Sequence, residues 1–297
     1  MDIRTLRYFL AVSREENITR AAEFLHISQP SLSNQMIELE KEIGKPLLIR
    51  GKRKVTLTQT GILLRKRAEE LVALMEKTER ELTANPETVA GDVSIGSGDT
   101  EATQLAIQAA KRLSKKPPAI CYHLFSGDAE AVIERLDDGL LDFGILIEPI
   151  DHTKYESIHL PIQDTWGILM RSDDPLSCFS ELSFEDLVDL PLIVPQRAGL
   201  QQMLSHWAGR DFRNLNFSAT YNLTHNAVLL VKADMGYALM LDQLVDTGEG
   251  TGLTFCPLTP SITVHLSMVW KKHQVFSQAA EQFINALQEQ LSESKIK

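Results

Sequence analysis

The side chains best placed to do chemistry lie in one short polar run, Gln29-Pro30-Ser31-Leu32-Ser33-Asn34. Glutamine and asparagine offer a donor and an acceptor at fixed spacing, which pairs bidentately with the edge of adenine, and serine hydroxyls bond either kind of base edge. Gln29 and Asn34 are the candidates for that pairing, with Pro30, Ser31 and Ser33 beside them. A second group follows Pro46, where Leu47-Leu48-Ile49-Arg50-Gly51-Lys52-Arg53-Lys54-Val55-Thr56-Leu57 sets four cations around a glycine between two apolar runs. That pattern predicts a β-hairpin with a basic tip suited to phosphates or a minor groove.

Catalytic constellations are missing from the sequence. There is no G-x-S-x-G, no phosphate-loop lysine motif and no H-E-x-x-H, and the eight histidines show no metal-ligand spacing. Gly96 and Gly98 begin a dinucleotide fingerprint, but Glu101 stands where its next glycine belongs. Cys121, Cys178 and Cys256 are odd in number and far apart, without a C-x-x-C pair, so three reduced and largely buried thiols are expected. Neither a cofactor nor a metal is expected.

The polar run needs elements that hold it outward. Ile3, Leu6, Phe9 and Leu10 recur at helical spacing, which predicts an amphipathic helix over about residues 3–14. Asn17 is placed to cap a second helix over Ile18 to Leu25, in which Ala21 and Ala22 permit close approach of a neighbour while Phe24 and Leu25 supply bulk. His26-Ile27-Ser28 forms the turn. Ser28 caps a third helix, and Pro30 fits its first turn, where the N–H it lacks would have no intrahelical partner. Leu32, Met36, Leu39 and Ile43 make one buried stripe, and Gly44 ends the helix. A polar helix start after a tight turn is what reading a major groove requires. A plain three-helix core with a solvated polar face gives the same pattern.

Charge separates these uses. The chain carries −10 overall, yet residues 1–67 hold 13 Lys/Arg against 7 Asp/Glu (+6) and the remainder holds 17 against 33 (−16). A basic head on an acidic body is expected when one domain contacts phosphates and the rest does something else. At 297 residues with 43% hydrophobic content, two or more domains are expected. Nothing resembles an export signal or a membrane span, so a soluble cytoplasmic protein without a membrane partner is expected.

The stretch Asn17-Ile18-Thr19-Arg20-Ala21-Ala22 through Leu25-His26-Ile27-Ser28-Gln29-Pro30-Ser31-Leu32-Ser33, then Leu39-Glu40 and Gly44, resembles the LysR-type transcriptional regulators. The likeness continues through Leu47, Arg50, Arg53, Val55, Leu57, Thr58 and Gly61, and departs at Leu48, where the family usually has Phe. It implies a winged helix-turn-helix over 1–58 that binds double-stranded promoter DNA. Gln29, Pro30, Ser31, Ser33 and Asn34 would face the major groove, and Arg50 and Arg53 would serve the wing. Asn34 stands at a variable position and would tune sequence preference.

From Thr58 to Leu82 no proline intervenes, and Leu64, Ala68, Leu71, Met75, Thr78 and Leu82 form a heptad seam. About 25 helical residues at ~1.5 Å each span roughly 37 Å, enough to hold two heads apart on DNA. A helix packed on its own chain is the rival reading; the flanking charges favour self-pairing. The resemblance implies a homodimer through this linker, 59–85, and commonly a homotetramer.

Asn85-Pro86-Glu87-Thr88 breaks the helix. Beyond it, strands and helices alternate in two series, which predicts two α/β lobes with a mostly parallel sheet. Lobe I takes about 90–162 and 266–297, lobe II about 163–265, with Ala280, Phe283, Ile284, Leu287 and Leu291 returning the last helix to lobe I. The resemblance implies a regulatory domain built like a periplasmic binding protein, with a small-molecule effector in its cleft. Ligands of α/β sheets sit beyond the C-terminal strand ends, near helix N-termini. That rule selects Ser97, Gly98 and Thr100 after the first strand, Ser126 and Gly127 after the second, and Gln196 and Thr224, with His225 alongside, in lobe II. Any one of them serves equally well as a loop or cap residue. Asp99 among them would repel an anionic effector. The rival classes are an enzyme, a solute-binding transport protein and a DNA-binding architectural protein without an effector.

Overall fold

Each of the first three helices begins where a short polar side chain turns back on the chain. Helix α1 (Ile3–Glu15) starts at Asp2, which accepts from the Thr5 N–H at 2.7 Å, and α2 (Ile18–Phe24) starts at Asn17, which accepts from Thr19 and Arg20. Helix α3 (Gln29–Ile43) starts at Ser28, which accepts from the Ser31 N–H, and ends at Gly44 with φ +76°. Strands β1 (Leu48–Arg50) and β2 (Val55–Leu57) pair antiparallel as the expected hairpin, and α4 (Gln59–Thr83) follows. This computed structural model describes residues 1–51, 54–83, 91–114, 120–196, 199–208 and 215–294. Arg53 and the 85–88 break lie outside the described residues. Of the described residues, 1–83 with 138–140 make up one unit and 91–137 with 141–294 the other.

In the N-terminal unit, Phe9, Val12, Ala21, Ala22, Leu32, Met36, Leu39 and Leu47 form one core, with Ile43 and Leu64 partly buried against it. Gly61 fits where α4 meets the wing, because a Cβ there would lie 2.2 Å from the Leu47 carbonyl oxygen. Two expectations are corrected. Phe24 is 55% exposed, with the Arg14 guanidinium 4.1 Å from its ring centre; α2 approaches its neighbours on its alanine face and leaves the larger ring outside. Leu64 and Ala68 pack into the unit's own interior, so the apolar seam members that α4 leaves exposed are Leu71, Met75 and Leu82, with Leu74 beside them and Ile62 and Leu63 exposed near the helix start.

The larger unit has two lobes. Lobe I contains β3 (Gly91–Ser97), α5 (Thr103–Leu113), β4 (Ile120–Ser126), α6 (Ala129–Asp137) and β5 (Phe143–Ile147). Lobe II contains α7 (Phe184–Leu187), β7 (Pro191–Pro195), α8 (Leu200–Ala208), β8 (Asn216–Tyr221), α9 (Thr224–Lys232), β9 (Tyr237–Leu241) and β10 (Leu253–Pro257). Strand β6 (Tyr155–Arg171) runs through both, β11 (Thr263–Lys271) returns beside it, and α10 (Gln278–Ser294) ends on lobe I. The strand order is β4-β3-β5-β11-β6-β9-β7-β8, with β10 also on β6.

The sheet is mixed where a mostly parallel one was expected. The β3, β4 and β5 pairings and the β7, β8 and β9 pairings are parallel, whereas the long crossover strands pair antiparallel with all their neighbours. The apolar stretch Ile168–Met170 belongs to the second half of β6. Its ladder with β11 shifts register between His265 and Leu266, opposite Gln163 and Leu160, where one lobe gives way to the other.

Both lobes carry apolar cores on both sheet faces, as parallel strands flanked by helices require. In lobe I, Val93, Ile95, Phe143 and Ile145 meet Ala280, Phe283, Ile284, Leu287 and Leu291 of α10; in lobe II, Trp166, Ile168, Leu192, Val194 and Leu239 meet Phe184 and Leu204. Helix α7 is capped by Ser183, which donates through its backbone and its hydroxyl to Asp186. Cys256 is buried, but Cys121 and Cys178 are exposed, against the expectation of buried thiols. Cys121 points off the outer face of an edge strand, and Cys178 lies in a 3-10 turn, Pro175–Cys178. Among the described residues no helix is long and apolar enough to cross a membrane.

Candidate nucleic-acid interface and interlobe site

At the start of α3, Gln29, Pro30, Ser31 and Asn34 are exposed and Ser33 is half-buried. Ser28 occupies the cap position, so these side chains are not needed to close the helix end. Among the described residues, the side chains of Gln29, Ser31, Ser33 and Asn34 make no hydrogen bond. They present donors and acceptors at the positive end of a helix dipole, in the basic N-terminal segment of the chain. This geometry fits a groove reader: a helix start held rigidly from behind by Leu32 and Met36, with its polar faces unspent.

The wing is held by a carboxylate that the sequence pattern did not single out. Glu40 Oε1 accepts from the Leu47 and Leu48 N–H groups at 2.8 and 3.0 Å, and its Oε2 lies 3.4 Å from Arg50. Lys54 pairs with Glu16 at 2.6 Å, while the Glu16 carbonyl accepts from the Val55 N–H. Arg50 and Lys54, at the turn end of the hairpin, are thus tethered by exposed ion pairs. Such pairs contribute about 0–1 kcal/mol, little enough for a phosphate to replace the carboxylate.

In the larger unit, most of the loop residues singled out in the sequence are brought together already bonded. The Ser97 carbonyl accepts from the Gly127 N–H at 3.0 Å, and its hydroxyl accepts from Thr103 at 3.2 Å. Gly98 is half-buried beside Gly127, and Ser126 is exposed. The Thr100 hydroxyl donates to Asp164 Oδ2 at 2.6 Å. Gln196 is bonded within its own lobe, to Thr220 and Tyr221.

A further contact joins lobe I to a helix of lobe II. Asp99 Oδ2 accepts from the Thr224 hydroxyl at 2.6 Å and from the Thr224 N–H at 3.2 Å. Helix α9 has Leu223 at its cap position, with no side-chain cap of its own. Asp99 of lobe I therefore supplies the anion that the N-terminus of a lobe II helix lacks. His225, alongside, is exposed.

Asp164 is the residue that sequence reasoning missed. It is fully buried on β6 where the strand passes between lobes, and its Oδ1 has no hydrogen-bond partner among the described residues. Burial pushes its carboxyl above the ordinary range and the Thr100 hydroxyl lowers it, while nearby Asp242 and Glu101 add to the upward push. The available signal was weak: a carboxylate two residues before the apolar run Trp166–Met170, in a strand that also carries the exposed Glu156.

The comparisons with known proteins cover both units. A family model described as "Bacterial regulatory helix-turn-helix protein, lysR family" matches residues 3–62, and one described as "LysR substrate binding domain" matches residues 86–292. The chain is 28% identical over 298 residues to the Hca operon transcriptional activator HcaR of Escherichia coli (strain K12), covering 98% of this chain and 99% of that one. It is 32% identical over 204 residues to the HTH-type transcriptional regulator CysL of Bacillus subtilis (strain 168), covering 68% and 67%. The fold matches the crystal structure of full-length CbnR complexed with its target DNA, with a TM-score of 0.75 at 19% identity, over 97% of this chain and 99% of that one.

Proposed function

The chain belongs to the LysR family of transcriptional regulators, with the family's helix-turn-helix and substrate-binding domains, and from that premise we propose how its own residues do the work. The head, residues 1–58, binds double-stranded promoter DNA by laying α3 in the major groove. Gln29, Pro30, Ser31, Ser33 and Asn34 read base edges there, and Arg50 and Arg53 of the wing meet flanking phosphates. The observation that carries this reading is the set of exposed polar side chains without internal partners at a helix start whose cap is already supplied.

The segment 59–85 pairs two chains through Leu71, Leu74, Met75 and Leu82 of α4, and two such dimers form a tetramer. Residues 90–297 hold a small-molecule effector among Ser97, Gly98, Thr100, Ser126, Gly127, Gln196 and Thr224. The side chains of Ser97, Thr100, Gln196 and Thr224 are already hydrogen-bonded, so an effector must exchange bonds, and Asp99 on Thr224 is the exchange that alters the contact between lobes. A carboxylate effector would have to displace Asp99, whereas a donor-bearing one would add to it. The protein works in the cytoplasm, by binding and without catalysis, in keeping with relatives that are named as transcriptional regulators.

The test is competition binding of the full chain to promoter fragments against bulk DNA, with and without a panel of metabolites, alongside thermal shift with the same panel. Preference for one fragment, changed by a metabolite that also raises the melting temperature, supports the reading. Equal binding to all fragments removes the groove assignment. Fragment preference that no metabolite alters leaves an architectural DNA binder.

A further inference from the structure

Outside the DNA-binding head and the interlobe site, one group of side chains has the composition of a metal site. Strand β4 is the edge of the sheet, and Cys121 and His123, two residues apart, project from the same face of it. The parallel register with β3 sets Asp92 beside Cys121. The opposite face of this strand pair, with Val93, Ile95, Ile120 and Tyr122, turns into the lobe I core, so the three side chains share the outer face. His123 and Cys121 are exposed and Asp92 is half-buried.

The distances suit a small divalent ion. Asp92 Oδ1 lies 3.5 Å from His123 Nε2, and the carboxylate oxygen, thiol sulfur and imidazole nitrogen all lie within 4.8 Å of one another. A tetrahedral zinc ion, with bonds of about 2.0–2.3 Å, holds its ligand atoms about 3.3–3.8 Å apart. The carboxylate and imidazole already have that separation, and the thiol needs to move by about 1.3 Å at most to reach the ~3.5 Å expected between sulfur and nitrogen or oxygen, within reach of rotation about its own bonds.

One sulfur, one nitrogen and one oxygen donor select the metal class. Magnesium and calcium take oxygen donors, whereas a thiolate with an imidazole favours zinc and its neighbours in the first transition row. We propose that Asp92, Cys121 and His123 form a surface site on lobe I for a zinc-class divalent cation, with the fourth coordination position open to solvent. Binding takes the Cys121 thiol to its thiolate and releases one proton to solvent, with His123 neutral and bound through Nε2. The site lies at the N-terminal end of β3 and β4, while Ser97 and Ser126 lie at their C-terminal end. Five residues of strand, roughly 16 Å at ~3.3 Å per residue, separate Asp92 from Ser97, so the ion does not occupy the interlobe site.

The test titrates Co²⁺ into the full chain under a phosphine reductant and reads absorbance. One equivalent should give thiolate-to-cobalt charge transfer in the near ultraviolet with the strong visible bands of tetrahedral cobalt, and Zn²⁺ should bleach both. Cys121→Ser should lose the charge-transfer band, Cys178→Ser should keep it, and His123→Ala and Asp92→Asn should weaken binding by about tenfold or more. As a second measurement needing no variant, Zn²⁺ should protect Cys121 but not Cys178 from alkylation by iodoacetamide, read by peptide mass. No charge-transfer band in the native chain, a band that survives Cys121→Ser, or alkylation of Cys121 indifferent to Zn²⁺ overturns the proposal.

Discussion

The two candidate sites spend their polar groups in opposite ways. At the start of α3 the fold caps the helix with Ser28 and leaves Gln29, Ser31, Ser33 and Asn34 without internal hydrogen bonds. Between the lobes, Ser97, Thr100 and Thr224 are all bonded to other parts of the chain. A surface that reads an external polymer benefits from rigid backing and unspent polar groups. A site that answers a small molecule by changing shape benefits from bonds it can exchange, because a ligand shifts an equilibrium only through differential interaction with its states.

That contrast is open to attack where its consequences are largest. Gly61→Ala should destabilise the N-terminal unit by about 3 kcal/mol or more, since its Cβ would lie 2.2 Å from a backbone carbonyl; chemical denaturation measures this, and a neutral result would mean that the backing of the head is soft. Gln29→Ala or Ser33→Ala should weaken binding to the preferred promoter fragment by about 1–3 kcal/mol with unchanged melting temperature and unchanged affinity for random DNA. A lowered melting temperature would show that these side chains have structural duties after all.

On the other side of the comparison, Asp99→Ala should lower the stability of the larger unit by about 1 kcal/mol, the usual loss on removing a helix cap, although Asp99 and Thr224 lie 125 residues apart. Full stability would reduce the interlobe bond to an incidental contact. Asp164→Asn makes a pH-dependent claim. Asp164 holds its proton more tightly in the folded chain, so its contribution is complete below the ordinary carboxylate value of 3.8 and is lost as pH rises through its raised folded value. The asparagine variant should therefore match its parent in acid and exceed it by on the order of 1 kcal/mol near neutrality, read from unfolding midpoints across pH. The smallest expected effect is at the wing, where Arg50→Ala should reduce the salt slope of DNA binding by about one unit, the change expected when a single phosphate is no longer neutralised. An unchanged slope would mean that Arg50 stays with Glu40.

The same contrast explains how much was legible beforehand. Caps, turn and buried stripe of the head depend on residues within a few positions of each other, so Asn17, Ser28 and Gly44 could be assigned from local chemistry, as could the hairpin around Gly51. Phe24 was misplaced because a seven-residue helix has room for only one close-packed face, and nothing local says which. The loops at the ends of β3, β4 and β7 followed from strand alternation, but their bonding did not. Asp99 with Thr224, and Thr100 with Asp164, are pairings made by the long crossover strand, and no periodicity encodes them. Asp92, Cys121 and His123 escaped for a similar reason: the third ligand arrives from a neighbouring strand through sheet register.

The crossover strands also fix an order of assembly. Lobe II is an insertion within lobe I, whose core is sealed by Phe283 and Leu287 of α10. During synthesis, β3, β4 and β5 must wait, with one greasy flank uncovered, until all of lobe II has left the ribosome. A ribosome stalled before residue 278 would therefore display a nascent chain that chaperones hold and proteases cut, even with its DNA-reading head already finished.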